Sequence, residues 1–151
     1  MICTFDSNVL IYALVEPPES RGDRARELIL RGTKGNAAML LLQALAEFST
    51  VALRKYRLRP TDVQSRMDAL RGPFPVEATA EQDLFTALGL VRDHQINFWD
   101  AMLCATADRA GLRYLLSEDM QQGFTWRGVT IVNPFLEPAH PLLAAALGDS
   151  A

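Results

Sequence analysis

Cysteine, histidine and lysine are all scarce in this chain, with two residues of each. Cys3 and Cys104 lie far apart and lack the spacing of a metal-binding pair. A disulfide framework is therefore not expected, and a reducing cytoplasm fits the composition best. His94 and His140 have no mutual spacing that suggests a zinc site, and both are expected at the surface. A long apolar run is also missing. The opening MICTFDSNVLIYALVEPPES has no basic leader, is interrupted by Asp6, and soon meets Pro17 and Pro18. It reads as neither a signal peptide nor a membrane span, so the expectation is a cytoplasmic protein with no membrane partner. Positive charge is not in excess either. At a formal net charge of −3, the whole surface does not suit wholesale neutralisation of phosphates. Any nucleic-acid reading must rest on a local site. No internal repeat is present.

What is there is an ordinary globular balance: 151 residues, 49% hydrophobic and 22% charged, enough for one domain with a sizeable core. Short apolar runs alternate with longer helical patterns, the signature of an α/β fold with a mainly parallel sheet. A strand is expected at Ile2–Phe5, with a helix following to about Val15. A helix from about Ser20 to Arg31 should stop at Gly32. Asn36–Leu41 reads as a second strand, leading into a helix from about Gln43 to Tyr56. Pro60 suits the first turn of another helix, which Gly72-Pro73 would end. Thr79 and Gln82 have capping-box spacing and open a helix toward Asp93. Trp99–Ala110 reads as a helix stopped by Gly111, and Arg113–Leu116 and Val129–Val132 read as strands. From Asn133 on, prolines break the chain, and LLAAAL could form one short helix. The expected division is a domain over 1–135 and a tail over 136–151, either a short helix or disordered.

Four acids stand out by position. Asp6 lies where the first strand hands over to its helix, and Asp119 lies just after the strand RYLL. Asp100 opens the helix WDAMLCATADRAG, and Glu47 sits one turn into the helix after the second strand. In an open parallel sheet the strands deliver their following loops to one edge, where ligands bind. Each acid also has a plainer reading. Asp6 and Ser7 suit an N-cap, Glu47 shares a polar stripe with Gln43, Thr50 and Arg54, and Asp119 suits a turn. Asp100 heads the apolar face carrying Leu103, Cys104 and Ala107, where a carboxylate asks for a partner. Two carboxylates ~6 Å apart repel by roughly 3 kcal/mol at an effective dielectric near ~20. Four gathered together must be protonated in part or neutralised by a cation, and all-oxygen ligation favours Mg²⁺ or Mn²⁺ over zinc.

At these residues the sequence resembles the PIN-domain family, and within it the VapC-type toxins. FDSNVLIYAL is similar to the family's first motif, QALAEFSTVALRK to its second, NFWDAMLCATADRAG to its third and YLLSEDMQQG to its fourth. GVTIVNPF resembles the last strand and its exit, so the likeness runs from Ile2 to about Phe135. Leu103 stands where some relatives carry a further acid, which bears on a second metal position. The resemblance implies a PIN-like α/β fold, with a central, mainly parallel sheet of four to five strands flanked by helices. It implies a metal-dependent endoribonuclease in which Asp6, Glu47, Asp100 and Asp119 hold Mg²⁺, with Mn²⁺ able to substitute. Asn8 and Ser117 would orient those carboxylates.

The resemblance also implies a homodimer, an RNA substrate and a VapB-type antitoxin. The run RKYRLR, with Arg54, Lys55, Arg57 and Arg59 around Tyr56, is the candidate RNA-binding surface, although cations also favour a helix C-terminus. Apolar faces around Leu10, Leu14, Leu28, Leu41 and Leu45 suit either core or partner contacts. Alternatives are an RNA-processing PIN nuclease outside a toxin pair and an inactive PIN-like binding module. Phosphatases of the haloacid-dehalogenase type and receiver domains also place acids at strand ends. The first need an acid where Asn8 stands, and both need a lysine near the phosphoryl group, whereas Lys34 and Lys55 follow no late strand.

Overall fold

A computed structural model describes residues 1–15 and 20–148 of the chain. Its elements begin with β1 (Cys3–Phe5), α1 (Ser7–Leu14), α2 (Ser20–Lys34), β2 (Leu40–Leu41) and α3 (Leu42–Arg54). They continue with α4 (Pro60–Arg71), β3 (Val76–Glu77), α5 (Glu81–His94) and α6 (Phe98–Arg109). The last are β4 (Tyr114–Leu116), β5 (Thr125–Trp126), β6 (Val129–Val132) and α7 (Pro141–Leu147).

The sheet has the order β1-β4-β6-β5, with the first three strands parallel and β5 antiparallel to β6. A parallel pair, β2 and β3, lies beside β1 and is tied to it by a bridge between Cys3 and Ala38. The expected α/β fold with a mainly parallel sheet flanked by helices is what forms. Cys3, Thr4 and Phe5 are all buried, as a strand covered on both faces requires. Adjacent residues of β4 and β6 serve opposite faces. Leu116 and Val132 join Phe5, Leu10, Leu28 and Phe48 in one core, while Leu115 and Ile131 join Leu90, Leu103 and Cys104 in the other. Helix α6 is buried continuously from Ala101 to Ala107, which fits its lack of a polar face. Leu10, Leu28, Leu41 and Leu45 are core residues, and Leu14 packs against the core.

Register is what builds the edge that carries Asp6 and Ser117. Phe5 pairs with Leu116, and Leu116 with Val132, so the three parallel strands end level. The next residues continue the ladder: Asp6 N–H donates to the Leu116 carbonyl at 2.9 Å, and Ser117 N–H to the Val132 carbonyl at 3.0 Å.

Several expected boundaries move for physical reasons. Helix α2 runs through Gly32 to Lys34, because that glycine serves packing rather than termination. A Cβ there would come within 3.1 Å of the Phe5 ring and 3.2 Å of Ala38 Cβ. The second strand shortens to Leu40–Leu41, preceded by the single bridge at Ala38. The capping pair of α5 is not Thr79 with Gln82. Ala80 occupies the cap position, and Asp83 reaches back to accept from its N–H at 2.8 Å. His140 is half-buried rather than a plain surface residue, and its Nδ1 caps α7 by accepting from Leu142 N–H at 3.1 Å. Helix α7 buries Leu143, Ala146 and Leu147 and packs on α2; residues 149–151 of the expected tail lie outside the described residues. Among the described residues no helix is long and apolar enough to cross a membrane.

Candidate functional site

Asp6 follows β1 directly, and its carboxylate does two jobs. Oδ1 accepts from Ser7 N–H at 2.7 Å, capping α1, and Oδ2 accepts from the Ser117 hydroxyl at 2.7 Å. The N-cap reading of Asp6 therefore holds, and its second oxygen is left to bond across to the next strand. Ser117 follows β4 and is wholly buried. Its oxygen accepts from Asn8 Nδ2 at 3.4 Å and from Met120 N–H at 3.3 Å. Asn8, one residue into α1, also donates to Asp119 Oδ2 at 3.1 Å. One polar chain thus links Asp6, Ser117, Asn8 and Asp119 across the ends of two neighbouring strands.

The other two acids arrive on helices. On α3, Glu47 Oε2 accepts from the Ser7 hydroxyl at 3.4 Å and Oε1 from Gln43 Nε2 at 2.7 Å. The same Gln43 amide donates to the Trp99 carbonyl at 2.8 Å, fastening α3 to the start of α6. Asp100 sits in the first turn of α6, where the helix dipole favours an anion. Of the polar stripe, Thr50 and Arg54 are exposed and Gln43 and Glu47 half-buried; Gln43, Glu47 and Thr50 border a recess of the surface. With Ser7, Trp99 and Asp100 they line this cleft of about 520 Å³. Asp119 borders a neighbouring groove of about 220 Å³ with Asn8, Tyr12, Lys55 and Tyr56.

The electrostatics of this edge are unbalanced. Asp6 is only 6% exposed, and its burial pushes its carboxyl up to about 6. Hydrogen bonds from Ser117 and Ser7 oppose that rise, and Glu47 and Asp100 add to it. Asp100 is also raised, first by burial and then by Glu47 and Asp119. None of the ion pairs among the described residues involves Asp6, Glu47, Asp100 or Asp119. Arg21 is taken by Glu118, the residue before Asp119, at 3.1 Å. Cys104 lies beneath the acids. Burial, then Asp100 and Asp6, push its thiol to about 12, so it stays neutral and serves packing.

Among the described residues, no three acidic, histidine or cysteine side chains stand close enough together to hold a metal as they are disposed. The four acids are electrostatic neighbours rather than a closed ligand shell. Their chemistry nevertheless fits a hard divalent cation: all donors are carboxylate oxygens, no ion pair to a cationic side chain offsets them among the described residues, and burial with mutual repulsion raises the carboxyls of Asp6 and Asp100.

Of the basic run, Arg54, Lys55, Arg57 and Arg59 are all exposed. Only Lys55 borders the groove beside Asp119, with its ammonium 5.3 Å from the Tyr56 ring centroid. Arg59 is turned aside into an ion pair with Asp62 at 3.1 Å. Gln43 and Trp99 were not among the expected site residues. Neither residue type is distinctive in sequence, and only the meeting of α3 with α6 brings them to the acids.

Comparison with known proteins bears on this geometry. The chain's fold is similar to that of VapC20 from Mycobacterium tuberculosis, described as a sarcin–ricin loop cleaving toxin. That match has 20% identity and a TM-score of 0.62, and covers 78% of this chain and 91% of the other. A toxin–antitoxin complex from Klebsiella pneumoniae is similar at 19% identity and a TM-score of 0.63, covering 88% and 98%. VapBC2 from Rickettsia felis, solved with a DNA fragment from its promoter, is similar at 16% identity and a TM-score of 0.62, covering 87% and 97%. Among curated protein sequences no significant match is found. The family model described as PIN domain matches residues 3–123, from β1 through the loop that carries Asp119, and the chain belongs to the PIN-domain family.

Proposed function

We propose that this protein is a metal-dependent endoribonuclease that hydrolyses RNA phosphodiester bonds, and that it is the toxin of a VapBC-type toxin–antitoxin pair. The observation that carries this reading is that Asp6, Glu47, Asp100 and Asp119 are electrostatic neighbours at one sheet edge and, among the described residues, none of them has an ion pair. Family membership and the similarity to solved toxin structures support it. Asp6 and Asp100 would be the main ligands of Mg²⁺ or Mn²⁺, with Asp119 and Glu47 completing the set. When bound, such an ion supplies water activation and offsets charge developing on the phosphate.

The chain's own residues do the positioning. Ser117 donates to Asp6 and holds one oxygen in place. Asn8 steers Asp119, and Gln43 with Ser7 holds Glu47 by both of its oxygens. Glu47 in that grip is suited to orienting an attacking water. Lys55 offers a cation to the neighbouring phosphates along the groove. Arg54 and Arg57 extend that positive surface, and Arg59 does so more weakly because Asp62 already holds it. The products would carry 5′-phosphate and 3′-hydroxyl ends.

The partners of this reading are a VapB-type antitoxin and a second copy of the chain in a homodimer. A small antitoxin-like reading frame directly upstream is expected; its absence favours an RNA-processing nuclease. The activity is tested by incubating the purified protein with total cellular RNA and Mn²⁺ and mapping new 5′ ends. Discrete cuts that vanish with a chelator and with Asp6→Asn are expected. No cuts from folded protein would leave an inactive PIN-like binding module.

A further inference from the structure

Trp99 is the first large side chain of α6 to face the cleft, next to Asp100, and 58% of its surface is exposed. Among the described residues its one ring contact is an edge-on meeting with Phe98, with centroids 5.1 Å apart. Its backbone, by contrast, is fixed at both polar groups. The N–H donates to Asn97 Oδ1 at 2.9 Å and the carbonyl accepts from Gln43 at 2.8 Å. Because Gln43 also holds Glu47, the position of the indole is tied to that of a proposed metal ligand.

The ring lines the cleft of about 520 Å³ together with Glu47 and Asp100, a volume typical of ligand pockets at ~300–1,000 Å³. Ser7 and Val51 border both this cleft and the groove that holds Asp119, Tyr56 and Lys55. The two recesses are therefore neighbours sharing Ser7 and Val51, with the flat aromatic face beside Glu47 and Asp100 in one, then Asp119 and a cation in the other. A phosphodiester strand matches that order. Its charged backbone needs the metal and lysine, and the base beside the scissile phosphate needs a π-face. Every nucleobase can stack on such a face, but only when it is not already stacked within a duplex.

We infer that Trp99 stacks on an unpaired nucleobase next to the cleaved phosphate. The inference rests on the nuclease reading and adds to it a specificity-determining contact that the four acids cannot supply.

The test uses protein carrying Asp6→Asn and Trp126→Phe, in which RNA stays uncut and Trp99 is the one remaining tryptophan of the chain's two. A short unstructured RNA oligonucleotide is titrated in the presence of Mn²⁺, alongside the same oligonucleotide in a duplex. The single strand is expected to quench the indole emission saturably, and the duplex to leave it unchanged. Adding Trp99→Ala to Asp6→Asn should weaken single-strand binding by roughly 5- to 140-fold. Trp99→Phe, which keeps a flat ring, should retain most of the affinity. Equal affinity of Trp99→Ala, equal quenching by duplex or no quenching overturns the stacking role. A change of oligomeric state on Trp99→Ala does the same, because the ring is then a contact to a second copy of the chain. If the protein with all its native residues still cuts RNA in those cases, only the stacking role falls. If it cuts nothing, the nuclease reading falls as well.

Discussion

The acid cluster makes a prediction about stability that needs no substrate. Burial raises the Asp6 carboxyl to about 6 from an ordinary 3.8. The native state therefore holds a proton that the unfolded chain has already released between those pH values. Stability contributed by this group falls as pH rises through that window, and the full penalty is present above pH ~6. At 1.36 kcal/mol per pKa unit, the metal-free protein carries about 3 kcal/mol of strain at Asp6 at neutral pH. Asp6→Asn removes the charge and keeps an oxygen to cap α1 through Ser7 N–H. It disturbs the hydroxyl bond from Ser117, at a cost of about 1 kcal/mol. The variant should be more stable than the parent by about 1–2 kcal/mol in chelator at pH 7.5, a rise in Tm of about 2–8 °C for a chain of this size. At pH 4.5 the two should be nearly equal. Urea unfolding at both pH values, with and without Mn²⁺, measures this. Added Mn²⁺ should stabilise the parent more than the variant. An Asp6→Asn protein less stable than its parent in chelator at pH 7.5, or an unchanged pH dependence, would refute the reasoning.

Other substitutions probe other parts of the account. Gly32→Ala forces a methyl to 3.1 Å from the Phe5 ring. It should destabilise by about 1 kcal/mol in chemical denaturation, because overpacking outweighs the gain in helix propensity. Arg109 donates to the buried Asp83 at 2.9 Å and to Glu77 at 2.8 Å. Burial pushes Asp83 up, but Arg109, the Ala80 N–H and Thr106 hold it below the usual carboxylate range. Arg109→Ala leaves that charge unpaired and should cost about 3 kcal/mol or more by the same assay. Replacing Lys55, Arg54 and Arg57 by alanine should weaken RNA binding. It should also flatten the slope of binding against log salt by roughly 0.7 for each phosphate no longer neutralised. Binding unchanged across a salt series would remove the run RKYRLR from the interface.

The elements legible in the sequence are those where local pattern and tertiary need agree. The runs around Thr4, Leu115 and Ile131 are short, apolar and followed by polar residues, so both the strands and the edge they feed could be read. The short strands β3 and β5 could not. Val76–Glu77 and Thr125–Trp126 are two residues long and have no periodicity. The β5–β6 hairpin turns on Arg127 and Gly128, both with positive φ; Gly128 suits that turn, but an arginine in the first position gives no cue. Gly32 misleads because a helix-stopping glycine and a close-packing glycine look identical until Phe5 and Ala38 are seen against it. Asp6 and Asp119 draw notice because they follow strands β1 and β4, whereas Glu47 and Asp100 arrive on helices α3 and α6. Gln43 and Trp99 escape a sequence reading because their roles arise only from the crossing of α3 with α6.

The central claim is that Asp6, Glu47, Asp100 and Asp119 together form a cation site, and calorimetric titration with Mn²⁺ at pH 7 tests it most directly. Saturable binding by the folded protein is expected, weakened about tenfold or more in Asp6→Asn and in Asp100→Asn, each with its fold verified by circular dichroism. Mn²⁺ binding of equal strength in both variants, or no binding by the parent protein, would contradict it.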